Sequence, residues 1–107
     1  MIPTITPRQL KEELDGLNPP IVLDVRELHE LEDAPFSYPV VHIPLGQLPE
    51  RISELDKSCN LVVLCRVGGR SAHATLFLVE NGFSRVRNIE TGINGWSRSV
   101  DPSVKAY

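Results

Sequence analysis

With 107 residues, 41% of them hydrophobic and 23% charged, the chain has the size and composition of one independently folding domain covering 1–107. A formal net charge of −3 argues against a nucleic-acid partner, and no stretch approaches the roughly 20 apolar residues of a membrane span, which argues against a membrane partner. The opening Met-Ile-Pro-Thr-Ile-Thr-Pro has neither a basic start nor an apolar run, so it does not read as a signal peptide, and a cytoplasmic location is the expectation.

Thr6, Pro7 and Gln9 form a capping-box start, and Leu10, Leu14 and Leu17 recur at helical spacing until Asn18-Pro19-Pro20 breaks the run. The β-branched run Ile21-Val22-Leu23-Asp24-Val25 predicts a strand covered on both faces. The acidic segment from Glu27 to Asp33 fits a short helix, residues 34–39 a loop, and Val40-Val41-His42-Ile43 a second short strand ended by Pro44. A short helix is expected from Gln47 to Leu55, with Pro49 in its first turns. Leu61-Val62-Val63-Leu64-Cys65 is the strongest strand in the sequence, and Arg70 to Asn81 is helical with Gly82 as its left-handed stop. Val86-Arg87-Asn88-Ile89 makes a last strand, followed by Gly92-Ile93-Asn94-Gly95-Trp96 and a polar tail. Strands alternate with helices and no tight hairpin joins them, so the expected architecture is α/β with a mainly parallel sheet.

Charge is distributed unevenly. Residues 1–56 hold eleven acids and four bases, whereas residues 57–107 hold three acids and seven bases; such surface charge ordinarily serves solubility, and the alternative is that the second half draws an anion toward a site within it. The two cysteines are Cys59 and Cys65, joined by a strand that would hold their Cα atoms roughly 20 Å apart. A disulfide tolerates no more than about 7 Å. The pair therefore cannot bridge, and Cys59 reads as a bystander.

In an open parallel sheet, ligands bind beyond the carboxyl ends of the strands. Cys65 closes the strongest strand and leads into Arg66-Val67-Gly68-Gly69-Arg70-Ser71 at a helix start. Gly68 and Gly69 allow successive backbone N–H groups to turn inward as an anion-binding nest, the helix adds partial positive charge, and Arg66 and Arg70 add full charges. Each feature favours thiolate over thiol at Cys65, the form in which a cysteine acts as a nucleophile. Asp24 and Arg26 end a strand that should open onto the same rim, where an ion pair between them would support the loop. His29, His42 and His73 share no ligand-like spacing and read as structural or surface residues, so no metal site is expected.

The motif C-R-V-G-G-R-S, with V-L-D-V-R-E upstream and G-F-S-R-V-R-N-I-E-T-G-I-N-G-W downstream, resembles the rhodanese-like family from Ile5 to Trp96. The resemblance implies a parallel sheet of about five strands with helices on both faces. It also implies a thiosulfate or persulfide sulfurtransferase in which Cys65 accepts sulfane sulfur as a persulfide, held by the loop from Arg66 to Ser71, and passes it to a nucleophile such as cyanide. No cofactor is implied beyond that covalent intermediate. Val41 before His42, Pro44-Leu45-Gly46 after it, and Thr91-Gly92 in place of a double glycine depart from the family pattern without touching the sulfur loop.

The ending Trp96-Ser97-Arg98-Ser99-Val100-Asp101-Pro102 looks like rhodanese domains attached to adenylating enzymes of the molybdopterin and thiazole sulfur-carrier systems, although Lys105-Ala106 replace the usual proline. That likeness implies a donor that is thiosulfate or a persulfide protein, and a small sulfur-carrier acceptor that receives sulfur as a thiocarboxylate. The alternatives are a non-catalytic interaction module of the same family and a phosphatase or arsenate reductase of the same fold. The phosphatase loop is one residue longer, as four oxygens need more room than one sulfur.

Overall fold

The computed structural model describes residues 2–107. Its elements in chain order are β1 (Thr4–Ile5), α1 (Pro7–Leu14), β2 (Ile21–Asp24), α2 (Leu28–Asp33), β3 (Val41–His42), α3 (Leu48–Arg51), β4 (Leu61–Leu64), α4 (Gly69–Glu80), β5 (Val86–Ile89) and α5 (Gly92–Ser99). Single 3₁₀ turns at Leu45–Gln47 and Ile52–Glu54 flank α3, so the helix expected over 47–55 is broken into three pieces.

All strand pairings are parallel and the sheet order is β1-β5-β4-β2-β3. β4 lies in the middle, its four residues buried, paired with β2 from Leu61↔Ile21 to Leu64↔Asp24 and with β5 from Leu61↔Val86 to Val63↔Asn88. A central strand has no solvent face, which explains its unbroken apolar run. Side chains alternate about it. Leu61, Val63 and Cys65 join Leu23, Leu48, Ala74, Leu78 and Phe83 on the face covered by α3 and α4. Val62 and Leu64 join Ile5, Leu10, Ile93, Trp96 and Val104 on the face covered by α1, α5 and the tail. Each fully buried Val or Leu here stabilises the fold by about 1.5–3 kcal/mol.

α1 begins as the capping box requires: the Thr6 hydroxyl accepts the Gln9 N–H at 3.2 Å and the Gln9 side chain accepts the Thr6 N–H at 3.0 Å. It ends at Leu14, and Leu17 is 99% exposed in the turn that follows, not on the apolar face that its spacing suggested. α4 ends as expected, with Gly82 at φ +92° and the Phe83 N–H donating to the Leu78 carbonyl at 3.1 Å.

Two elements escape the sequence pattern. β1 is two residues long at the sheet edge, and α5 is built on Gly92, Asn94 and Gly95, which are poor helix formers. Among the described residues, no helix is long and apolar enough to cross a membrane.

Candidate active site

The chain leaves β2 toward β3 on one side of the sheet and leaves β4 toward β5 on the other. The loops after these neighbouring strands therefore diverge and open a crevice at their carboxyl ends. Cys65 sits there, 1% exposed, as the first residue after β4. Its Sγ accepts the Gly68 N–H at 3.1 Å and lies 3.2 Å from the Ser71 hydroxyl. Gly68 has φ +102° and ψ −9°, and this left-handed turn swings its N–H inward immediately before α4 begins. Gly69 does not share that constraint. It is the first residue of α4, and a Cβ placed on it would meet nothing within 4 Å.

The loop is held from behind by α5. The N–H groups of Ile93 and Asn94 donate to the carbonyls of Cys65 (2.9 Å) and Arg66 (3.1 Å). Gly92 is obligatory in this position, since a Cβ would stand 2.4 Å from the Arg66 carbonyl oxygen. β5 contributes Asn88, whose side chain accepts the Ser71 hydroxyl and donates to the Gly68 carbonyl at 3.2 Å.

Among the described residues, neither arginine of the loop hydrogen-bonds to the sulfur. Arg70 makes a two-pronged ion pair with Glu30 of α2, both contacts at 2.8 Å. The Arg70 guanidinium, with help from the Glu27 N–H and the Tyr107 hydroxyl, lowers the Glu30 carboxyl to about 2. Arg66 turns outward, donating to the Tyr107 carbonyl with its guanidinium 5.1 Å from that ring's centre. Val67 stands 59% exposed at the crest of the loop.

Asp24 and Arg26 form an ion pair with both side chains 0% exposed, closed by contacts of 2.9 to 3.2 Å. Among the described residues neither one hydrogen-bonds to the loop. Their link to it runs through Tyr107, whose hydroxyl accepts from Arg26 at 3.0 Å and donates to Glu30 at 2.8 Å. His42 contacts the Arg26 carbonyl at 2.6 Å, His29 is exposed, and His73 lines an apolar hollow with Leu45, Leu48, Pro49 and Phe77. Both thiols are free, and burial, with Asp56 nearby, pushes the Cys59 thiol up.

Glu30, Asn88, Asn94 and Tyr107 are the site residues that sequence reasoning missed. Glu30 is one acid in an acidic segment, and the partners of the other three lie 13 to 81 residues away in the chain.

The sequence model of the Rhodanese-like domain family matches residues 6–99. The chain is 30% identical over 104 residues to the sulfurtransferase of Allochromatium vinosum, covering 97% of this chain and 96% of that protein. It is 38% identical over 110 residues to the adenylyltransferase and sulfurtransferase MOCS3-1 of Zea mays, of which it spans only 23%. The crystal structure of a rhodanese-related protein from Thermoplasma volcanium superposes with a TM-score of 0.83 at 30% identity, covering 98% of this chain and 99% of that one. Fold, loop and matched length agree: the chain belongs to the rhodanese-like domain family.

Proposed function

We propose that the domain transfers sulfane sulfur through a persulfide on Cys65. The observation that carries this reading is a cysteine sulfur enclosed by its own loop, receiving the Gly68 N–H at 3.1 Å at the start of α4. In the proposed cycle the Cys65 thiolate attacks the outer sulfur of thiosulfate. A new S–S bond forms, the old one breaks, and sulfite leaves with the bonding electron pair. The negative charge then rests on the outer sulfur, where loop amides and the helix start stabilise it. Cyanide, or a physiological nucleophile, takes that sulfur and regenerates the thiolate. No step calls for a cofactor.

The likeness to a protein named both adenylyltransferase and sulfurtransferase, and to one named a putative sulfur carrier protein, favours a small sulfur-carrier protein as the acceptor. Loop length favours sulfur over phosphate, because four residues separate Cys65 from Arg70.

The test is intact mass after incubation with thiosulfate. The wild-type protein and Cys59→Ala should each gain the mass of one sulfur atom, and Cys65→Ala should gain none. Sulfur retained by Cys65→Ala and lost by Cys59→Ala would overturn the assignment.

A further inference from the structure

We propose that Asn88 is a positioning residue that aims the Ser71 hydroxyl proton away from Cys65 and so withholds that donor from the sulfur. The inference rests on Cys65 being the sulfur-bearing residue.

The two ends of the Asn88 amide have different chemistry, and its neighbours decide which end faces where. The Gly68 carbonyl can only accept, so the amide presents Nδ2 to it, at 3.2 Å. That leaves Oδ1 against the Ser71 hydroxyl. Oδ1 can only accept, and a serine hydroxyl has one proton, so that proton lies between Ser71 and Asn88. Ser71 therefore turns lone pairs toward Sγ, 3.2 Å away. The contact is favourable when Cys65 supplies the proton as S–H and unfavourable when the sulfur is an anion. To serve an anion, the hydroxyl must rotate off Asn88 and leave Oδ1, on a residue only 6% exposed, without its donor.

Cys65 thus receives opposing instructions. The Gly68 N–H favours the thiolate and the Ser71–Asn88 pair favours the thiol. Charged and titratable groups at this end of the sheet include Arg66 on the loop, Arg70 and His73 of α4, Asp24 and Arg26 at the end of β2, Glu27 and Glu30 at and in α2, His42 of β3, Glu90 after β5, and Tyr107. Asn88 and Asn94, from β5 and α5, do not titrate. An effect of Asn88 on the pH profile must therefore pass through the hydroxyl proton or through the Gly68 carbonyl.

The experiment is the rate of iodoacetamide alkylation of Cys65 against pH in the Cys59→Ala protein, run as a double-mutant cycle over Ser71 and Asn88. Asn88→Ala frees the hydroxyl to donate to the thiolate, and the midpoint of the profile should fall by about 1 pH unit. In the Ser71→Ala background the same substitution should leave the midpoint in place. Asn88→Asp, which keeps an obligate acceptor, should raise the midpoint, and by more with Ser71 present than without it.

A midpoint that rises or stays put in Asn88→Ala, or a shift of equal size in the Ser71→Ala background, would overturn the inference and assign Asn88 to the Gly68 carbonyl alone. If Asn88→Ala does not fold, an Asn88→Asp shift that is the same with and without Ser71 overturns it equally. Alkylation reads the thiol directly, so failure to load sulfur would defeat the proposed function without affecting this measurement.

Discussion

Gly68 and Gly69 are neighbours of one kind that answer to different constraints. Gly68 needs its φ of +102°, where an L side chain is strained by roughly 1–2 kcal/mol. Gly69 occupies an open helical position, where alanine should add about 0.5–1 kcal/mol through the unfolded chain. Urea denaturation should therefore place Gly68→Ala below the wild type and Gly69→Ala above it. Thiosulfate:cyanide transfer should fall only in Gly68→Ala, whose N–H is the one aimed at Sγ.

The arginines divide in the same manner. Arg70→Ala should lower transfer by about 10²-fold, because the Arg70–Glu30 ion pair ties the first turn of α4 to α2 and a loop released from it is misplaced around the sulfur. Arg66→Ala should lower it by less than about tenfold, because Arg66 turns outward and its contacts reach only the tail at Tyr107. Equal losses would count against this division. The loop around Cys65 was legible from C-R-V-G-G-R-S, including Gly68 and Ser71, whose polar groups meet its sulfur. Which glycine is strained and which arginine is locked was not, because both depend on contacts from other elements.

At the scale of elements, legibility followed length and burial. β4 and α4 were readable because each repeats one instruction, continuous burial in the first and helical spacing in the second. α5 was not, because its local preferences oppose the helix and packing overrides them. Thr91 precedes it at φ +64°, a left-handed conformation that costs a β-branched residue about 1–2 kcal/mol. A Cβ on Gly95 would stand 1.6 Å from the Thr91 hydroxyl oxygen, so the two positions are coupled. Thr91→Gly should stabilise the domain by about 1 kcal/mol, or about 4–8 °C in the melting temperature. Gly95→Ala should cost about 1–3 kcal/mol in the wild type and less beside Thr91→Gly. Strict additivity of the two in calorimetry would remove the coupling.

For the molecule as a whole, the polar network Asp24–Arg26–Tyr107–Glu30–Arg70 ties β2, α2, α4 and the tail together. α2 has no buried residue, so this network does the holding that packing does elsewhere. Glu30 makes it sensitive to acid. Its carboxyl falls from an ordinary 4.5 to about 2 on folding, so the unfolded chain binds its proton first as the pH drops. The stabilisation is full above about 4.5 and is lost as the pH falls through about 2. Chemical denaturation at pH 7 should find Glu30→Gln less stable than the wild type, with the difference shrinking steadily below pH 4.5. A difference that does not change with pH would detach Glu30 from the network's charge.

The chain's one tryptophan, Trp96, is fully buried against Phe36 and Tyr38, with ring centres 4.7 and 5.9 Å away, on the opposite face of the sheet from Cys65. Its emission is thereby an optical probe of one half of the core only. Loading sulfur on Cys65 should leave the spectrum unchanged, and unfolding should shift it to the red. Integrity of the fold can thus be followed in one cuvette without a label, whether or not the site carries sulfur.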